Sequence, residues 1–527
     1  MKKSTPYEIV PYHIETLKTI LSRRSAACLE TISVKLHSVY FQEYFTSLNA
    51  KTIVVESDYV DKDYLDDFMA YYANCFTEYG RRCSRLHFFS IDFTKTNFDD
   101  LLRGKTTIID HAKLNDAYLG FMVVKPLPQT IIGRTCLKTY DTDGGRRHYS
   151  VVRNYDVSLF GLALKVESLA FQEQDHVVSA CATSALWSVF QGTGKLFQHP
   201  ILSPADITKI ACDNFPMDTR YIPNNGLQVP QMAQAIRKVD LEPFLVKPSR
   251  EENLRATLYA YVKGKVPILM GILLADGSKD NFTSPAEFYG KHAIAVTGYS
   301  LGGALKPYPV NGFLLRASRI DKFYAHDDQV GPFSRIVLDM KEIEYLIEGK
   351  QDRRKSMVTS WKGRDGKIGS IRAIPEILLM PLYHKIRIPF ESVHDTVMYF
   401  DHYIETVRKQ GLISLGERVL WDIYLITNND LKKEIFESNS LREKLKKDAL
   451  QEHLPRYIWR ASASCGGNKI LDLLFDATDI EQAFFVKYVI GYDKKIFDEI
   501  VRIAKASRSM PRTKNVWKVL QYFDRIH

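Results

Sequence analysis

No stretch of the 527 residues approaches the ~18 consecutive apolar residues of a membrane-spanning helix. The opening "MKKSTPYEIVPYH" has two lysines but no apolar core behind them, so it does not read as a secretory signal. Cysteine is sparse and odd in number: Cys28, Cys75, Cys83, Cys136, Cys181, Cys212 and Cys465. No two form a C-x-x-C pair, which argues against a zinc ribbon, and the scattered spacing gives no disulfide framework. Internal repeats and low-complexity tracts are lacking. So is the glycine-lysine-serine/threonine ending of a phosphate loop, even beside the Gly466-Gly467 pair. These absences leave a reduced, cytoplasmic globular protein as the expectation, with no membrane span.

Net charge is +10, mild for this length, and permits a basic patch without requiring nucleic acid. The clearest local excess is the tail, where Lys505, Arg508, Arg512, Lys514, Lys518 and Arg525 face only Asp524. It reads as a solvated face first and as a contact for an anionic partner second. Length alone suggests about three domains. Texture divides the chain into an α+β region over 1–165, a helix block followed by a strand block over 166–345, and a mixed α/β region over 346–527. The glycine-bearing "KGRDGKIGS" opens the third region as a linker. In the first region "KDYLDDFMAYYANCFTEYG" is expected to be one helix closed by Gly80, and "TTIID" a strand. In the third, Thr478 to Glu481 has capping-box form ahead of a helix over "QAFFVKYVI", closed by Gly491. Asp476 and Asp479 there are a turn and a cap rather than a metal pair. Asp141 to Gly144 is a hairpin turn, since Val152 stands where a calcium loop needs glutamate.

The chemistry-bearing stretch is "DHVVSACATSALWSVF", residues 175–190. Ala182, Ala185, Leu186, Val189 and Phe190 follow Cys181 at the spacing of one helix face, which places Cys181 in the first turn. Helix N-termini favour a thiolate, and their free N–H groups can receive an oxyanion. Asp175 and Ser179 can cap the helix or shape the loop before it. A lone cysteine is more often packing than catalytic, so a base is needed. Of fourteen histidines, His292 sits at the mouth of a strand, "HAIAVTGYS", just after Gly290 and Lys291. The "KFYAHDDQVGPF" strand offers His326, Asp327 and Asp328; Asp327 is the first choice to orient His292 and Asp328 the second. Cys465 has no later histidine except His527 and reads as a turn residue. His176 reads as loop surface.

The order cysteine on a helix, histidine on a strand, acid on a later strand resembles the papain-like cysteine peptidases, nearest the branch of bacteriocin-leader-processing peptidases. "SACATSALW", "GKHAIAVTGYS" and "FYAHDDQVGPF" carry the resemblance. It implies a papain-like core, an N-terminal helix packed on an antiparallel sheet, flanked by two further α/β-type domains in a bacterial protein. It implies Cys181 as nucleophile, His292 as general base and acid, Asp327 as orienter, and Trp187 as the residue packing the helix on the strands. The family's oxyanion glutamine lies six residues before the cysteine. Asp175 stands there, and Gln174, one residue earlier, takes the role through a one-residue bulge. "LGGALKPYPVNG" would be an inserted loop between His292 and Asp327. A protein or peptide substrate, no cofactor or metal, and a regulatory protein partner for the flanking domains follow from the resemblance. Deamidation and acyl transfer share the first half-reaction and stay open, as does an inactive scaffold that binds protein or nucleic acid.

Overall fold

The computed structural model describes residues 6–105, 108–175, 177–178, 180–213, 226–277, 288–309, 311–347, 350–439, 441–479, 486–506 and 514–524. The protein is mixed α+β, built from several sheets. Among the described residues no helix is long and apolar enough to cross a membrane.

The chain forms two compact units. One comprises residues 1–247, 265–299 and 322–381, and the other 248–264, 300–321 and 382–527. The expected boundaries at 165 and 345 both fall inside structured regions. The strand Gly331–Ile347 pairs with Lys350–Val358, and that strand with Ile371–Tyr383, so the sheet runs straight through residue 345. "KGRDGKIGS" is accordingly not a linker. It is the turn between two paired strands, pinned by a bridge between Lys362 and Ile368.

In the first unit, a five-stranded antiparallel sheet runs Tyr7–Pro11, Thr52–Tyr59, Cys83–Phe89, Tyr118–Val124 and Ile132–Leu137. Its inner strands are buried on both faces, which is why "YLGFMVV" lacks polar alternation. A second sheet runs Ile268–Asp276, Phe288–Ser300, Lys322–Asp327, Gly331–Ile347, Lys350–Val358 and Ile371–Tyr383, and the last strand pairs back on the first. That pairing closes a barrel, and Leu241–Val246 adds to its last strand while Arg147–His148 pairs with Phe288–Ser300. The helix Cys181–Phe197 carries Leu186, Trp187, Val189 and Phe190 with none of their surface exposed. The Trp187 indole donates to Asp63 Oδ2 at 3.1 Å, so its one polar atom is satisfied inside the core.

The second unit has a sheet of Leu314–Leu315, Leu420–Thr427, Tyr457–Cys465, Asn468–Asp476 and Val486–Gly491 with helices beside it. The residues 300–321, expected as an inserted loop, belong to this unit; Leu314 and Leu315 pair in parallel with Leu420 and Trp421. Cys465 ends a strand, and the Gly466-Gly467 hairpin after it has positive φ at both positions.

Three local expectations are corrected. The helix begun at Lys62 ends at Ala70, well short of Gly80, because Tyr71 leaves helical geometry and Tyr72 turns inward to donate to Asp175. Of "TTIID", residues 108–110 are described and lie outside any strand; Asp110 instead caps the helix His111–Asp116 through the Lys113 N–H. Residues 486–491, expected within a helix, form a strand, since Val486, Val489 and Ile490 pair along Asn468–Asp476 and are buried there. Residues 480–485, including Glu481 of the expected capping box, lie outside the described residues, as do Arg508, Arg512 and Arg525 of the tail.

Two barrel and sheet histidines set the acid tolerance of the first unit. His87 is buried between Tyr118 Oη at 2.9 Å and Glu56, and burial lowers its pKa to about 4. His326 donates from Nε2 to the Leu169 carbonyl at 3.0 Å and accepts the Phe333 N–H at Nδ1 at 3.1 Å, and burial lowers it to about 3. Both nitrogens of His326 are used by the neutral ring, so a second proton would break the Phe333 bond. In the unfolded chain each histidine takes its proton near 6.5. Below that pH the unfolded state binds more protons than the folded one, so the stability that these rings confer is intact above pH 6.5 and is lost as pH falls toward 4. Each ring is expected to cost ~3 kcal/mol over that range, read as a falling urea midpoint between pH 7 and 4.5. Histidine NMR should find both rings still neutral at pH 5.

Candidate functional site

Four segments of the first unit meet around one imidazole. Cys181 begins its helix with Ala180 at the N-cap and no side-chain cap. The first intrahelical bond is Ser184 N to Ala180 O at 3.0 Å, so the N–H groups of the first turn are left without intrahelical acceptors. The loop before it is fastened from both sides. Asp175 Oδ1 accepts the N–H groups of Val177 and Val178 at 2.8 and 3.3 Å, and Thr208 Oγ1 donates to Val178 O at 2.8 Å. Asp175 therefore shapes the loop and does not cap the helix. Ser179, the other expected cap, and His176 lie outside the described residues.

His292 lies four residues inside the strand Phe288–Ser300, paired opposite Ile272, rather than at its mouth. Its neighbour in the sheet is the strand Lys322–Asp327, which ends on the acid. Nε2 lies 3.0 Å from Asp327 Oδ1 and 3.5 Å from Asp328 Oδ1. The Cys181 thiol adds to the interactions that raise the ring, and Nε2 is the nitrogen that faces the acids, which leaves Nδ1 free of them. All three of His292, Asp327 and Asp328 are buried.

Burial by itself would lower the His292 pKa. The charges of Asp327 and Asp328 and the bonds to Asp327 and Cys181 overcome it and hold the ring well above its usual 6.5. Burial would raise Asp327, but the imidazolium and the donors Trp361 and Gln329 hold it below the usual carboxylate range. Asp328 has weaker support, and burial pushes it up to about 6. Asp327 is thus the ionised partner, and Asp328 is the acid that keeps its proton longer.

Trp361 is a residue that the sequence reading passed over. Its indole donates to Asp327 Oδ2 at 2.7 Å, and its ring meets His292 edge-on with centroids 5.3 Å apart. A polar turn next to a tryptophan, "SWKGRDG", was the available signal, hidden by the linker reading. His37, from the helix Leu36–Ser47, bonds through Nε2 to the Asp328 carbonyl at 3.0 Å and supports the acidic turn from behind.

Gln174 is placed as an alternating chain would place it. Glu173 and Asp175 are buried, Glu173 against Ile132 N–H at 3.0 Å and Lys35, Asp175 against Tyr72 at 2.5 Å. Gln174 between them is half-buried and lines a cavity of about 1030 Å³ together with Gln329 and Trp361. Cys181 is not among that cavity's lining residues. The cavity also runs along Thr31 to His37 of the N-terminal helices.

No protein-family model matches the chain, and no curated protein matches it. The site therefore stands on its own geometry: a thiol at an uncapped helix start, a buried imidazole, and a carboxylate with three donors. Asp327 is the joint among them. Trp361→Phe keeps the edge-on ring but deletes the donor, leaving Asp327 Oδ2 buried without its partner. A loss of ~1–3 kcal/mol is expected in urea unfolding, against little change for a Trp361→Phe change made in an Asp327→Asn background.

Proposed function

We propose that the protein is a papain-like cysteine hydrolase that attacks an amide or related acyl carbonyl through Cys181. The observation that carries this reading is the buried ring of His292, hydrogen-bonded through Nε2 to Asp327 and influenced by the Cys181 thiol at the helix start. The barrel behind His292 and the helix behind Cys181 fit the helix-on-antiparallel-sheet arrangement that the resemblance implies.

In this reading His292 holds a proton taken from the thiol, and Asp327 stabilises the resulting imidazolium. The thiolate adds to the carbonyl carbon, and the first-turn N–H groups receive the developing oxyanion. His292 then delivers its proton to the leaving amine, so the thioester forms as the C–N bond breaks. Water, activated by the same ring, hydrolyses the thioester and restores the thiol. Gln174 is the side chain available to add a second oxyanion donor, because Asp175 is consumed by the loop. Deamidation and acyl transfer would use the same first half-reaction, and the second nucleophile or the amide attacked distinguishes them.

An electrophilic peptide probe tests the reading. One equivalent should label the intact protein at Cys181, with Cys181→Ala unlabelled and Asp327→Asn slowed by ~10²–10⁴. Labelling that is equal at all exposed thiols, or unaffected by Asp327→Asn, rejects a catalytic Cys181. Product analysis with water against an added amine then separates hydrolysis from acyl transfer.

A further inference from the structure

A cysteine hydrolase needs one carboxylate behind its imidazole, and this site has two. His292 Nε2, Asp327 Oδ1 and Asp328 Oδ1 lie within 4.8 Å of one another, and all three residues are buried. Asp328 Oδ1 is fully enclosed, yet it has no hydrogen-bond partner. Its other oxygen is held by Gln329 Nε2 at 3.0 Å, which leaves Oδ1 directed at the imidazole from 3.5 Å. A buried carboxylate oxygen with no hydrogen bond and only a 3.5 Å charge contact to the ring is incompletely satisfied, and a metal ion bound between them would complete it.

We propose that His292, Asp327 and Asp328 form an inhibitory site for a zinc-class divalent cation. Zinc takes imidazole nitrogen at ~2.0–2.1 Å and carboxylate oxygen at ~2.0–2.2 Å, so neighbouring ligand atoms in a tetrahedral shell stand ~3.4 Å apart. The two separations at Nε2, 3.0 and 3.5 Å, bracket that value. One imidazole with two carboxylates suits zinc, manganese or ferrous iron better than magnesium or calcium, which favour oxygen alone. Two carboxylates also balance a double positive charge. The outer partners that orient metal ligands are in place: Trp361 Nε1 on Asp327 Oδ2 at 2.7 Å and Gln329 Nε2 on Asp328 Oδ2. Trp361 and Gln329, the outer partners, also line the large cavity.

Binding displaces the Nε2 proton of the imidazolium to solvent, and the nitrogen lone pair forms the metal bond. The remaining ring proton stays on Nδ1, the nitrogen free of the acids. The Nδ1 proton is then held more tightly than an imidazolium proton, since giving it up leaves a metal-bound imidazolate, so its transfer to the leaving amine is suppressed and turnover at Cys181 is inhibited. The binding claim stands without the hydrolase reading; only the inhibition rests on it.

Titration calorimetry of the full chain with zinc sulfate under reducing conditions tests the site. The wild type should bind one equivalent with release of a proton, Asp328→Asn should bind at least tenfold more weakly, and Cys181→Ala should bind like the wild type. Absence of stoichiometric binding, unaltered affinity in Asp328→Asn, or loss of binding in Cys181→Ala each overturns the proposal. If Asp328→Asn does not fold, cadmium NMR of the wild type decides: a resonance in the nitrogen/oxygen range is expected, and one in the thiolate range overturns the site. Where Cys181 takes the electrophilic probe, zinc should slow cleavage of a peptide amide at least tenfold and a chelator restore it, with the effect reduced in Asp328→Asn. An unlabelled Cys181 with zinc still bound would reject the hydrolase and leave the metal site standing.

Discussion

The Asp327 carboxylate is the joint on which the candidate site depends. It ends one barrel strand and accepts the His292 ring, the Gln329 N–H at 3.1 Å and the Trp361 indole. Those donors come from a neighbouring strand, from its own turn and from the loop after Val358. A buried carboxylate is tolerated only when such donors and a counter-charge surround it. By satisfying Asp327, the fold also fixes the tilt of His292 and the placement of Trp361. The imidazole stays charged because two acids outweigh its burial.

The same requirement explains why the N-terminal residues belong to the unit that holds the site. Asp63 and Asp67 are buried, and their partners are the Trp187 indole and the Ala205 N–H. Tyr72 serves Asp175, and Lys35 pairs with Glu173 on the two sides of Gln174. His37 reaches the Asp328 carbonyl. Each is a polar group whose burial would be unfavourable without that particular partner. Together they hold the loop before Cys181 and the turn after Asp327 in register. The N-terminal helices are thus part of the frame of the site and supply one wall of the cavity beside it.

Where the sequence was legible, a short-range period carried the message. The i, i+3, i+4 spacing after Cys181 located its helix to the residue, and alternation in "HAIAVTGYS" placed His292 on a strand whose neighbour ends in Asp327. Where it failed, a distant partner overrode the local pattern. "QAFFVKYVI" has helical capping signals before it, yet its described residues pair as a strand because an adjacent strand offers hydrogen bonds and burial. "KGRDGKIGS" has linker composition, but tight turns within a sheet use the same residues. Gln174 stands one residue out of step with the family's glutamine, and it faces a cavity that Cys181 does not line. Its neighbours Glu173 and Asp175 each have buried partners, and Gln174 is what remains facing the cavity.

By itself, the sequence determined the α+β class, the helix at Cys181, the strands of His292 and Asp327, and the absence of a long apolar helix among the described residues. These follow from composition and periodicities of two and 3.6, which are local. Only the tertiary structure decided that residues 300–321 leave for the second unit, that the barrel closes past residue 345, and that Trp361 and His37 brace the acidic turn. It supplied the physical reason for preferring Asp327 to Asp328, through the Trp361 indole and Gln329 N–H that reach one and not the other. Those outcomes depend on which buried polar groups meet across hundreds of residues, and no local pattern encodes that.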